Sequence, residues 1–374
     1  MKKYGLQSHD SRFNTEEKCR EFLIQQRWDG RPTCNKCGNN HLNYFLTSRN
    51  VWKCSKCRKQ FSLTKGTIFE SSKLPLTKWF KAIFYFTTAK RGISSCQLAR
   101  WLEIEQKTAW FVLQRIREAL EHSRERVLSG IVEVDETYIS PDPGKDKRVQ
   151  RAKHRHEKDQ DEKFGFSSKR KTTMRKQIKK EPDSERKLKE FNEWQLRLSK
   201  NGKRKPFNPA IAVLGMYQRN GDVLLFHIGR QYLDTTKRKI APYLLKHISE
   251  DSELVTDESS FYTEVGQKFL RHKVVHHDLS YVSDDGIHTN NIENVWMHLK
   301  KMVAGTYFHM SFWHYYRYLN EHAFRWNIRN LNLKEGFDEL INKVFGHRIT
   351  YKDLIISKQL AACSLKRMSI FRKT

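Results

Sequence analysis

Four of the seven cysteines stand in two Cys-X-X-Cys pairs, Cys34-Asn-Lys-Cys37 and Cys54-Ser-Lys-Cys57, and this spacing constrains the N-terminal part of the chain more tightly than any other feature. Two such pairs can close a tetrahedral four-thiolate site around one structural Zn2+, each pair on a tight knuckle, with short strands predicted at Leu42 to Phe45 and Val51 to Cys54. A redox role is disfavoured because no thioredoxin-like βαβ pattern surrounds either pair. Cys19, Cys96 and Cys363 are isolated and read as packed or surface thiols.

Composition narrows the choice of partner. The 374-residue chain carries 71 Lys and Arg against 42 Asp and Glu, a formal charge of +29. Such a field attracts a polyanion, and the attraction is strongly salt-dependent. The length suggests two or three domains. A hydrophobic fraction of 38% suits a chain of which part is solvated basic segment rather than core. There is no run of about eighteen apolar residues, and the start, MKKYGLQSHDSRFN, lacks the apolar core of a signal peptide. The expectation is a soluble intracellular protein with nucleic acid, and no membrane, as partner.

An α-helical region is predicted after the cysteines. Apolar residues recur at helical spacing near Leu76 to Lys90, Ser94 to Leu102 and Gln106 to His122. Gly92 breaks the first helix, and Ser94 or Ser95 can cap the second. The short link Glu103 to Glu105 delivers a third helix whose first residues, Gln106, Lys107 and Thr108, could enter a major groove. The pattern reads as helix-turn-helix-like, with a supporting helical bundle as the plain alternative. From Pro141 to Phe207 the chain is dense in Lys and Arg, with SSKRKTTMRKQIKK at its centre. This stretch is expected to interrupt the fold as a solvated, phosphate-binding insertion.

Two β-branched runs carry acids where strands are expected. IVEVDETYI, Ile131 to Ile139, holds Asp135 in mid-strand, a poor place for an unpaired carboxylate. ELVTDESSFY, Glu253 to Tyr262, ends a short strand in Asp257. Glu136 must point to the opposite face from Asp135 and is not expected to be a ligand. Between the two runs, Ala210 to Tyr217 and Val223 to Arg230 flank Asn220-Gly221 as a hairpin. A helix near Thr235 to Ile248 follows, and a strand at Lys273 to His277 comes after Asp257. Asp284 and Asp285 read as a turn.

The run HTNNIENVWMHLKK, His288 to Lys301, completes the set. At helical pitch Glu293, Met297 and Lys300 share one face, with Asn290 at its start, while Ile292, Val295, Trp296 and Leu299 can seal the other. A carboxylate that can hold a divalent metal beside an ammonium that can hold a DNA backbone suits phosphodiester cleavage. An ordinary surface ion pair is the plain alternative. Trp313, Tyr315, Tyr316, Phe324 and Trp326 are expected in core and DNA-end packing.

Taken together, the VDETY around Asp135, the TD of Thr256-Asp257, the HTNNIENVW of His288 to Trp296, the LKK of Leu299 to Lys301, the GTY of Gly305 to Tyr307 and the RYLNEHAFRWN of Arg317 to Asn327 resemble the DDE transposases. The likeness is closest to the Merlin-like superfamily, which includes bacterial insertion-sequence transposases with an N-terminal zinc ribbon, and it spans nearly the whole chain. It implies that Asp135, Asp257 and Glu293 are catalytic acids holding two Mg2+ or Mn2+ ions, and that Lys300 and Lys301 touch DNA. Some relatives use asparagine at the third position, which keeps Asn290 and Asn291 as minor candidates. The chain departs from the pattern in its long basic insertion and in Ser140-Pro141, where relatives often place glycines. The chemistry stands apart from the likeness: three acids converging at about 4 Å can hold two magnesium ions, one activating a water or a DNA 3′-hydroxyl and the other stabilising the leaving oxygen.

The expected fold is mixed α/β, with a ribonuclease-H-like catalytic domain. An N-terminal helix and zinc ribbon would occupy 1–65, the helix-turn-helix-like region 66–128, the catalytic domain 129–335 with the basic insertion at 141–207, and a C-terminal helical tail 336–374. The expected function is cutting and strand transfer of the chain's own mobile element ends, with double-stranded DNA (terminal repeats and target) as partner. A homodimer or higher assembly should form on DNA, since two ends must be joined. The expected location is the nucleoid in a bacterium or the nucleus in a eukaryote. An inactive, transposase-derived regulator and a structure-specific nuclease are the alternatives.

Overall fold

The computed structural model of the chain describes residues 4–121, 126–139, 210–230, 237–257, 262–275, 288–307, 310–311 and 314–354. The expectations for the insertion at 141–207, the Asp284-Asp285 turn, Trp313 and Cys363 lie outside the described residues.

Helices α1 (Leu6–Arg12) and α2 (Glu16–Trp28) lead into a small antiparallel sheet of β1 (Tyr44–Leu46), β2 (Val51–Lys53) and β3 (Gln60–Phe61). Three helices follow, α3 (Leu76–Thr88), α4 (Ser95–Leu102) and α5 (Gln106–Ala119). Ser94 caps α4, its hydroxyl accepting from the Gln97 amide at 3.2 Å. Trp79, Phe80, Ile83 and Phe86 of α3 are buried against residues from α2, α4 and α5 in one core.

A second sheet has the strand order β6-β5-β4-β7-β8, with β4 (Ile131–Ile139), β5 (Ile211–Gln218), β6 (Val223–Arg230), β7 (Glu253–Asp257) and β8 (Arg271–Val275). The first three strands are antiparallel, and β7 runs parallel to both β4 and β8. The Asn-Gly hairpin closes between Gln218 and Asp222, and Asn220 takes the left-handed conformation at φ 60°. Alternation along the strands sorts the side chains into two cores. Val132, Val134, Leu214 and Met216 face α6 (Lys237–His247) and the single turn α7 (Thr263–Gly266). Ile211, Val213 and Tyr217 face α8 (Asn290–Met302) and α9 (Tyr315–Asn327). The architecture is mixed α/β, as expected.

Helix α10 (Leu333–Asn342) sends Phe337, Leu340 and Ile341 into the core of the N-terminal helices. The segment expected to start a C-terminal tail at 336 therefore begins inside that core. A buried ion pair joins the same two halves: Arg117 of α5 donates to Glu321 of α9 at 2.7 Å, with their side chains 1% and 0% exposed. Glu321 also accepts from the Tyr307 hydroxyl at 2.6 Å and from Arg325 at 2.7 Å. Burial alone would raise its pKa, but the two guanidiniums outweigh that and hold it below the usual range. Among the described residues no helix is long and apolar enough to cross a membrane.

Candidate active site

Parallel strands β4 and β7 are registered through Ile131–Glu253, Val132–Leu254 and Glu133–Val255. Two steps further along each strand stand Asp135 and Asp257, at one level and, by alternation, on one face of the sheet. Helix α8 packs on that face with Ile292, Val295, Trp296 and Leu299 buried. Glu293, Met297 and Lys300 are exposed on its other side, the division expected from the spacing. Burial, reinforced by the charges of Asp257 and Glu293, pushes the Asp135 carboxyl up to about 6, against the opposing effect of a hydrogen bond from Trp296. Glu136 does lie on the other face, beside Tyr262, and burial with the charges of Asp135 and Asp257 pushes it up to about 7.

Two devices seat α8 on the sheet. Trp296 Nε1 donates to Asp135 Oδ2 at 2.8 Å. Its ring lies over Gly215, the partner of Asp135 on β5, where an added Cβ would stand 2.4 Å from Trp296 and 2.8 Å from Ile292. At the helix start, the fully buried Glu133 accepts from the amides of Asn291 and Ile292, each at 3.1 Å, from Asn291 Nδ2 at 2.8 Å and from Arg219 Nε at 2.9 Å. Neither device was expected from the sequence. The available signals were a lone glycine inside a strand pattern and a second acid two residues before Asp135, hence on the same face.

Among the described residues, the four cysteines are the group of three or more ligating side chains whose ligand atoms all lie within 4.8 Å of one another. The three acids interact electrostatically but stand wider than that, so the expected convergence at about 4 Å is not met. Like charges repel, and Glu293 reaches out from an exposed helix face.

The cysteine knuckles repeat one geometry. In each, the first cysteine's carbonyl accepts from the residue four on, Gly38 at 2.9 Å and Arg58 at 3.0 Å, both at positive φ. Sulfur pairs Cys34–Cys57 and Cys37–Cys54 are each 3.6 Å apart. A tetrahedron with about 2.3 Å zinc–sulfur bonds has edges of about 3.8 Å, so the spacing fits. The Cys57 amide, donating to Cys54 sulfur at 3.5 Å, pulls the Cys54 thiol down to about 6 and favours the thiolate that zinc requires.

Of the residues expected to meet DNA, Lys300 and Lys301 are exposed at the end of α8, and Gln106, Lys107 and Thr108 are exposed at the start of α5. Gln106 is already engaged, donating to Ser95 Oγ at 2.7 Å.

Comparison with known families matches residues 14–60 to the transposase zinc-ribbon domain and residues 184–327 to the ISXO2-like transposase domain. Two segments of the chain are thus similar to an ISXO2-like transposase domain and to a transposase zinc ribbon. A relative described as an uncharacterized protein in transposable element ISH50, from Halobacterium salinarum, is 30% identical over 129 residues, which cover 34% of this chain and 43% of that protein. The chain thus matches less than half of that relative's length. No solved structure matches. The ISXO2-like domain match begins inside the basic insertion and contains Asp257, Glu293 and Lys300, and Asp135 lies before it. The four cysteines fall inside the zinc-ribbon match and support one structural Zn2+.

Proposed function

We propose that this chain is a DNA transposase that cuts the ends of its own mobile element and joins them to a target, with Asp135, Asp257 and Glu293 as its catalytic acids on a ribonuclease-H-like sheet. One observation carries the reading: two aspartates at one level of neighbouring parallel strands, with a glutamate on the helix packed over them, close enough that Asp257 and Glu293 both raise the Asp135 pKa.

The donor set fits a hard divalent cation. It is all carboxylate oxygen, part buried and of one charge, which suits magnesium or manganese rather than a soft ion. Asp135, Asp257 and Glu293 would hold two such ions, which would supply activation of the attacking oxygen and stabilisation of the leaving one. The chain's own residues position the rest. The Trp296 N–H occupies Oδ2 of Asp135 and so fixes the carboxylate's orientation. Lys300 and Lys301, on the exposed side of α8, are placed to hold backbone phosphates near Glu293. The exposed start of α5 holds the element end in a helix-turn-helix-like manner, with the zinc ribbon as a separate DNA contact, and the buried Arg117–Glu321 pair ties α5 firmly to the catalytic half. Because two ends must be cut and joined to one target, the active form is at least a dimer on DNA.

A supercoiled plasmid carrying two element ends, incubated with magnesium and a target duplex, tests the reaction type. Excised and target-joined products are expected. End binding without cleavage would indicate a regulator, and cleavage of branched DNA regardless of the ends would indicate a nuclease.

A further inference from the structure

Helix α8 lacks a cap of its own. Its N-cap residue, Thr289, makes no side-chain capping bond to the helix amides, and buried helix-start amides left without acceptors are costly. The acceptor comes instead from the sheet. Glu133 Oε2 takes the amides of Asn291 and Ile292, while Oε1 takes Asn291 Nδ2 and Arg219 Nε. His288 Nδ1 stands 3.6 Å from Oε1, and Arg219 Nη2 donates to the His288 carbonyl at 3.0 Å, closing the network around the residue that leads into the helix. Arg219 and Asn291 reach Glu133 only through N–H donors, as do the two backbone amides, so an acceptor-only carboxylate fits and an amide would set its own NH2 against a donor.

Packing alone does not call for this arrangement. A buried charge with its partners is commonly no more stabilising than apolar residues of the same volume. What a charged cap adds is direction: it sets both the axial position and the rotation of the helix start, where the negative group also meets the positive end of the helix dipole. Glu293 is the residue immediately after the second capped amide, and Glu133 lies on the same strand face as Asp135, two residues before it. The strand that carries one acid therefore holds the helix that carries another.

We infer that Glu133 is a positioning residue that sets Glu293 against Asp135 and Asp257, acting through the α8 amides and not through contact with substrate. The inference rests on the proposed reading of the three acids.

Its test is Glu133→Gln in the full-length, zinc-loaded chain. Manganese binding is measured by titration calorimetry, and end cleavage as a function of magnesium concentration. Loss of an outer partner of a metal ligand costs roughly 10- to 100-fold in affinity or activity, so weakening in that range is expected in both readouts, with end binding unchanged. Leu244→Ala, which opens a cavity under the opposite face of the sheet, serves as the control for general destabilisation and should leave manganese affinity intact. Should Glu133→Gln fail to fold, Arg219→Lys keeps the charge but loses the paired donation to Glu133 and His288, and is expected to weaken manganese binding in the same direction. Wild-type manganese affinity and magnesium dependence in a folded Glu133→Gln protein, or an equal loss in Leu244→Ala, would overturn the inference. Asp257→Asn separates the two levels: if it binds manganese like wild type, the reading of the acids has failed and not the role of Glu133 alone.

Discussion

Substituting Gly215 by alanine probes how closely α8 must sit on the sheet. The added Cβ would lie 2.4 and 2.5 Å from two ring carbons of Trp296 and 2.8 Å from Ile292 Cδ1. Carbon atoms in ordinary contact stand about 3.5–4.0 Å apart, so α8 must withdraw by about 1 Å. Neither neighbour can turn aside cheaply, since Trp296 is 4% and Ile292 0% exposed. Overpacking of this kind costs about 1–3 kcal/mol, which at roughly 2–4 °C per kcal/mol lowers the unfolding midpoint by about 2–12 °C. Function should suffer more. A displacement of about 1 Å costs on the order of 100-fold in rate, and the Trp296 hydrogen bond to Asp135 would be stretched. Single-turnover cleavage of end DNA should therefore fall about 100-fold, with end binding retained. Adding Trp296→Phe to Gly215→Ala removes the two clashing ring carbons and leaves only the Ile292 contact, so the midpoint should recover in part while cleavage does not, because the N–H to Asp135 is gone. Wild-type melting and cleavage in Gly215→Ala would refute the claim that the glycine seats α8 on the sheet.

Three further outcomes are expected. Elemental analysis should find one zinc per chain, lost together with N-terminal folding in Cys34→Ser or Cys57→Ser and not replaceable by magnesium; zinc-free, folded protein would contradict this. Burial, helped by His298 and Arg325, pushes His322 from 6.5 down to about 4, while its Nε2 lies 3.2 Å from the Val295 carbonyl. The unfolded chain then takes up a proton that the fold refuses, so stability is complete above about pH 6.5 and falls toward pH 4, by up to about 3 kcal/mol from this group; His322→Gln should flatten the midpoint's pH dependence in that window, and an unchanged slope would exclude His322 as its source. Light scattering should show more chains per complex with end DNA than without, because DNA neutralises protomers that carry a formal +29 each; efficient joining of both ends by a complex holding one protomer would count against this.

What could be read from the chain was local. Cysteine spacing pointed to the four-thiolate cluster, Ser94 capped the helix it was expected to cap, and the helical period separated Glu293 and Lys300 from the buried Trp296 and Leu299. Strand alternation likewise placed Asp135 and Glu136 on opposite faces. A period says which face of an element is apolar, but not which element will cover it. Glu133 meets α8 across 158 residues, and Arg117 meets Glu321 across 204. Gly215 lies under Trp296, which comes from a helix more than 70 residues further along the chain. The return of Phe337 and Leu340 into the N-terminal core has the same character. Each depends on a long-range pairing that single-sequence patterns do not encode.

The central claim is that Asp135, Asp257 and Glu293 act as one metal-dependent site. The most direct measurement is single-turnover cleavage of end DNA in magnesium by the wild type, Asp135→Asn, Asp257→Asn and Glu293→Gln, with end binding measured in parallel. All three variants are expected to bind the ends at least as well as wild type, since each loses a negative charge, and to lose cleavage together. Near wild-type cleavage by any one of them would remove that residue from the site and contradict the account.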